Sequence, residues 1–247
     1  AGSLTAVLPT VLLFVFFPGS FVLSFTYSEA TLIVVAAGCM LLLLRRQWLA
    51  AGVLAAIGTA ARPNGLALVA ACAIASYLAI RDRREWRSLI AVVLAPVGFV
   101  AFQLYLWIHT GELAWFRVQT EAWDEGTSFG LTAIRNTVEA FLHPLASPTD
   151  ILTAVSFLTM IGFLFAMRWR RLPWPLVAYT LVVLALMVLP STVTARPRFL
   201  FTAFPALIAA AAWWPEEHEE AWGASIALGA AGLVTLTGLY GVLGAIP

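Results

Sequence analysis

The sequence predicts an all-α fold, a polytopic transmembrane helix bundle of about nine membrane segments. Hydrophobic residues make up 62% of the 247 and charged residues 11%, with a mean hydropathy of +0.92. A soluble domain of this size needs far more polar surface, whereas lipid accepts apolar side chains on the outside of a bundle as well as inside it. The apolar residues also fall into uncharged runs, and the arginines cluster between them.

In chain order the runs are Leu4–Phe25, Ala30–Leu44, Gln47–Ala61, Pro63–Ile80, Ser88–Ile108, Ile151–Met167, Leu172–Thr194, Phe199–Trp214 and Ala221–Pro247. Several are shorter than the ~20 residues of a full crossing. Pro9, Pro18 and Pro190 are expected to bend or break their helices. No repeat or soluble domain interrupts the series, so residues 1–247 read as a single transmembrane domain. The first run has no initiator methionine and no basic region before it, which is expected of a chain that starts inside a larger protein.

Alternating the spans puts Arg45-Arg46, the Arg81–Arg87 cluster and Arg168/Arg170/Arg171 on one face, which the positive-inside rule makes cytoplasmic. The opposite face receives Tyr27-Ser28-Glu29, Arg62-Pro63-Asn64, an external loop over 110–150 and Arg196/Arg198. In that loop Leu131–Leu142 places Ile134, Val138 and Phe141 on one helical face, the pattern of a helix lying on the membrane surface, either as an amphipathic lid packed on the bundle or in a substrate role. The expected location is therefore the plasma membrane, with the polar clusters facing the periplasmic or extracellular side.

All fourteen basic residues are arginine, a bias typical of a GC-rich bacterial genome. The net charge of +1 is uninformative about partners, and no basic patch or aromatic-basic interleaving suggests nucleic acid. Cys39 and Cys72 lie in apolar runs and are expected as buried thiols. His109 and His143 have no metal-ligand spacing, and neither a Gly-rich phosphate loop nor a nucleophile elbow is present. No cofactor is predicted, and a divalent-metal requirement stays open.

Glu29 lies sixteen residues before Arg45, and Arg62 sixteen after Arg46. At about 1.5 Å per helical residue both stand roughly 24 Å from the same basic doublet, hence at similar depth. Between Arg46 and Arg81 the chain has room for about 51 Å of helix against the ~60 Å of two crossings, so the Arg62-Pro63-Asn64-Gly65 tip is expected to be recessed. An arginine at membrane depth needs a cavity or a partner. Glu29 is the obvious partner, either as an ion pair that fixes two helices or as the wall of a polar cavity. In the second reading Arg62, Arg196 and Arg198 present guanidinium forks to phosphate oxygens; Arg196 and Arg198 would otherwise snorkel at the interface. Trp115, Phe116, Trp123, Asp124 and Glu125 form an aromatic and acidic set that fits either an interfacial belt or sugar binding.

TYSEATL followed, after one helix and a basic turn, by GTAARPNGLALV resembles the PIG-V-like mannosyltransferases, membrane enzymes that add the second mannose of GPI anchors, and their bacterial relatives. The resemblance rests on Tyr27-Ser28-Glu29-Ala30 and Arg62-x-Asn64-Gly65, with a weaker echo in Pro197-Arg198-Phe199-Leu200 and Ala203-Phe204-Pro205. It is strong over Phe17–Leu68 and diffuse elsewhere, and it implies that the chain covers the C-terminal two thirds of a family member. Pro63 departs from the small residue expected inside Arg-x-Asn-Gly.

The resemblance implies a GT-C-type glycosyltransferase of the bacterial cell envelope. It would move a sugar, mannose first, from a polyprenyl-phosphate donor to a lipid-linked or glycan acceptor on the non-cytoplasmic face, with inversion. Its partners would be that donor, that acceptor and membrane lipids. Substrate-binding residues would be Tyr27, Ser28, Arg62, Asn64, Arg196, Arg198, Trp123 and Asp124. Glu29 is a catalytic candidate, although the resemblance implies a main base in a Trp-Asp segment upstream of Ala1. A lipid or solute transporter and a noncatalytic membrane subunit are the competing expectations.

Overall fold

The computed structural model describes residues 7–111, 121, 124, 126–145, 147–192, 194–214 and 219–242. Among them the architecture is all-helical, with one isolated bridge, Thr127 to Pro190, in place of any strand. Twelve α-helices are considered: α1 (Val7–Phe16), α2 (Glu29–Leu44), α3 (Trp48–Ala61), α4 (Ala67–Arg83), α5 (Leu89–Leu94), α6 (Val97–Thr110), α7 (Leu131–Leu142), α8 (Pro148–Trp169), α9 (Trp174–Val188), α10 (Pro197–Thr202), α11 (Phe204–Trp213) and α12 (Glu219–Gly241). Short 3-10 turns at Pro18–Ser24, Pro63–Leu66 and Trp86–Ser88 connect some of them.

Among the described residues four helical stretches are long and apolar enough to cross a membrane: Pro63–Arg83, Trp86–Thr110, Pro148–Trp169 and Glu219–Gly241. A fifth forms if α1 and Pro18–Ser24, bent by 74°, count as one span. The bend falls where Phe17 turns extended ahead of Pro18. The other uncharged runs make shorter helices, because charge-free length only bounds a helix from above. Thus α2, α3 and α9 have 16, 14 and 15 residues, and Phe199–Trp214 is split at Ala203, just before Pro205. Lipid is the solvent these surfaces call for: 6% of the apolar window of Glu219–Gly241 and 11% of that of Trp86–Thr110 is buried.

The chain divides into two compact units. One comprises Tyr27–Gly126 and Pro173–Leu186. In it α2 and α3 form a helical hairpin around the Arg45–Gln47 turn, and α3 packs on α4, α5 and α6. Small residues make the approach close: a Cβ at Gly98 would fall on the Ala56 carbonyl, and one at Gly52 on Ala91 and Leu94. Thr59 ties the break between α5 and α6 to α3, donating to Ala95 O at 2.8 Å and accepting from Phe99 N at 3.3 Å. Pro96 interrupts the ladder at that point, so the Thr59 hydroxyl serves backbone groups that a continuous helix would pair. Cys39 and Cys72 are both buried thiols.

The other unit comprises Ala1–Thr26, Thr127–Leu172 and Met187–Pro247. There α7 lies on α8 through buried Ala133, Thr137 and Ala140. Its opposite side exposes Leu131, Ile134, Val138, Phe141 and Leu142. The helix expected at this place is present with its apolar stripe turned outward. Phe17 stacks on Phe201 at 6.0 Å, and a Cβ at Gly19 would overlap the Pro197 carbonyl, so the Pro18–Ser24 turn sits hard against α10. Ser128 N donates to Leu189 O at 2.8 Å, which ties the end of the long loop to the exit of α9.

Candidate functional site

Two of the polar motifs singled out in the sequence, Tyr27-Ser28-Glu29 and Arg62-Pro63-Asn64, meet where α2 begins and α3 ends. Ser28 is the N-cap of α2, yet its hydroxyl makes no capping hydrogen bond. It accepts instead from Arg62 Nη1 at 3.2 Å. Glu29 occupies the first turn of α2, where a negative charge is favoured by the unpaired backbone N–H groups. Its carboxylate is wholly buried, and Oε2 stands 2.5 Å from Arg62 Nη1. The contact is an ion pair, and Oε1, the other carboxylate oxygen, is buried with no hydrogen-bond partner among the described residues. The pairing expected from equal depth is present.

Arg62 is placed by local backbone geometry. It adopts an extended conformation as α3 ends, and Pro63 starts a 3-10 turn through Leu66. Gly65 N returns to Arg62 O at 2.9 Å, and a Cβ at Gly65 would overlap the Gly58 carbonyl. The glycine of the Arg-Pro-Asn-Gly motif is thus required for the turn to fold onto its own helix. The turn holds Asn64 half-buried, and Tyr27 is half-buried next to Ser28.

Arg196 belongs to the other unit and has partners of its own. It is buried, and Nη1 donates to Thr153 Oγ1 at 2.7 Å and to Thr149 O at 3.1 Å, both on α8. Burial, then the nearby Arg198 charge, hold its pKa below the ordinary arginine value, while Asp150 acts in the opposite direction. An arginine so placed stays protonated at physiological pH. Arg198 lies two residues on, its guanidinium 4.7 Å from the Phe199 ring centroid. The structure therefore brings Ser28, Glu29 and Arg62 together and gives Arg196 an anchor on α8. Thr149 and Thr153 were not singled out in the sequence; their spacing of four on a helix that also buries Ser156 is the signal that marks them.

Asp124 is exposed with a positive φ of 47°, while Trp115, Phe116, Trp123 and Glu125 lie outside the described residues. His109 closes a local contact, with Nδ1 2.8 Å from Tyr105 O and its ring 4.1 Å from the Tyr105 ring. No group of three or more His, Cys, Asp or Glu that could hold a metal ion occurs among the described residues. Comparison with protein-family models, with curated proteins and with solved structures gives no match.

Proposed function

We propose that the chain is a GT-C-like membrane glycosyltransferase, PIG-V-like in kind, that moves a sugar from a polyprenyl-phosphate donor to a lipid-linked or glycan acceptor on the non-cytoplasmic face. The observation that carries this reading is the junction of the Tyr27-Ser28-Glu29-Ala30 and Arg62-Pro63-Asn64-Gly65 motifs through Arg62 Nη1. A charged pair inside a bundle this apolar is costly and marks a functional place by default.

In the proposed step the acceptor hydroxyl oxygen bonds to the anomeric carbon as the bond from that carbon to the phosphate oxygen breaks, with inversion. The hydroxyl proton goes to a carboxylate base, and the polyprenyl phosphate departs with the electron pair. Arg62 offers a planar fork of donors suited to the phosphate oxygens that gain charge. Glu29 is assigned a positioning role, its Oε2 holding the Arg62 guanidinium in place. The short helices α2, α3, α9 and α11 would be partial crossings in a bundle of about nine segments, and α7 would lie on the outer membrane surface with its apolar stripe in lipid.

A second reading has its own support, because complete burial of Glu29 against Arg62 is also what structural glue between α2 and α3 requires. Sugar transfer from labelled polyprenyl-phosphate sugars, measured in reconstituted membranes, separates the two. Under the proposal Glu29→Gln lowers transfer per folded molecule, beyond whatever fraction of the protein its lost ion pair unfolds. Loss of folded protein with unchanged transfer per folded molecule leaves only the glue, and sugar-independent flux of solute would point to a transporter.

A further inference from the structure

We propose that the arginine-rich end of the first unit carries a binding groove for an anionic glycerophospholipid, separate from the Glu29–Arg62 cluster. An open groove of about 600 Å³ lies where α2 ends, α3 begins, α4 ends and α9 begins. Leu43, Leu44 and Leu78 line its apolar part, and Arg46, Arg83 and Trp174 its polar part. All of these residues belong to one unit.

Charge complementarity selects the occupant. Arg45, Arg46, Arg81, Arg83, Arg84 and Arg87 crowd this end against Asp82 and Glu85, and every one of the six arginines is exposed. The two acids are already engaged: Asp82, itself in the groove wall, holds Arg81 at 2.7 Å. Glu85 accepts from Trp48 Nε1 at 2.8 Å and lies 3.6 Å from Arg46. Arg83 has no ion-pair partner among the described residues. The wall therefore keeps an excess of positive charge beside an apolar floor.

The backbone fixes that arrangement. Arg46 and Arg84 both end their helices in the left-handed region, with φ of 58° and 55°. Arg46 N returns to Leu43 O, and Glu85 N to Ala79 O. Each helix stops abruptly, and the Glu85 bond to Trp48 then clamps the start of α3 to the end of α4. Trp86 and Trp174 are exposed at this end, as aromatic rings at a headgroup boundary are. A phosphate between Arg46 and Arg83, with an acyl chain along Leu43, Leu44 and Leu78, satisfies both parts of the groove at once. Basic pockets between membrane helices bind anionic headgroups in this way.

The test uses the full chain, delipidated in detergent and titrated with phosphatidylglycerol or phosphatidylcholine while bound lipids are counted by native mass spectrometry. Phosphatidylglycerol should bind at one tight site, with phosphatidylcholine at least tenfold weaker. Arg83→Gln should weaken that site about fivefold, the effect of one arginine near an anionic headgroup. Arg87→Gln, the same charge change outside the wall, should leave it within twofold. Because Arg83 is exposed, both variants should melt as wild type. Equal losses in the two variants, or equal binding of the two lipids, would overturn the groove and leave only diffuse attraction to a basic surface.

Discussion

Glu29, in the first turn of α2, and Arg62, in the extended link that follows α3, meet at 2.5 Å with the carboxylate completely buried. Neither residue can lose its charge partner cheaply, because what remains is an uncompensated ion in an apolar interior. Arg62→Ala should therefore destabilise the protein by about 3–5 kcal/mol. The double variant Glu29→Gln/Arg62→Ala should cost less than the sum of its singles. Unfolding of the four proteins in one detergent gives the coupling directly.

Thr59 should be intolerant of a methyl in place of its hydroxyl. Thr59→Val removes the hydroxyl bonds to the Phe99 N–H and the Ala95 carbonyl at the Pro96 break, at a cost of about 1–3 kcal/mol. Thr59→Ser keeps the hydroxyl and should stay close to wild type. Hydrogen exchange at the Phe99 amide should rise only in the valine variant.

The glycines sort by what their missing side chain would strike. Gly98→Ala and Gly65→Ala force a Cβ into the Ala56 and Gly58 carbonyls, which overpacking at about 1–3 kcal/mol describes. Gly223→Ala in α12 meets nothing within 4 Å and should be stabilising by about 0.5–1 kcal/mol through helix propensity. Thermal melts of the three variants read the contrast.

The Arg196 anchor predicts a loss that spares charge. Thr153→Val removes the acceptor that Nη1 reaches at 2.7 Å, and a hydrogen bond to a charged group is worth about 1.5–3 kcal/mol. Thr153→Ser should restore it. Chemical denaturation reports the difference.

Depth arithmetic made the Glu29–Arg62 pair legible, since two residues equidistant from one basic turn must lie level if the connecting segments are helical. The helical class and the outward stripe of Leu131–Leu142 were legible for the same reason, through spacing and hydropathy. Helix lengths were not: charge-free runs ignore where prolines and tight turns stop a helix, and Phe199–Trp214 divides at Ala203 for that reason. Thr59 and Glu85 were invisible because single polar residues in or beside apolar helices carry no periodic signal. Their partners come from other segments of the chain.

The most direct measurement is sugar transfer from a polyprenyl-phosphate donor by the reconstituted protein, comparing wild type with Arg62→Lys. Lysine keeps the charge near Glu29 but loses the planar fork. The account predicts that kcat falls about a hundredfold, as for loss of one transition-state donor, while the melting temperature is little changed. Equal kcat in the two proteins would contradict it.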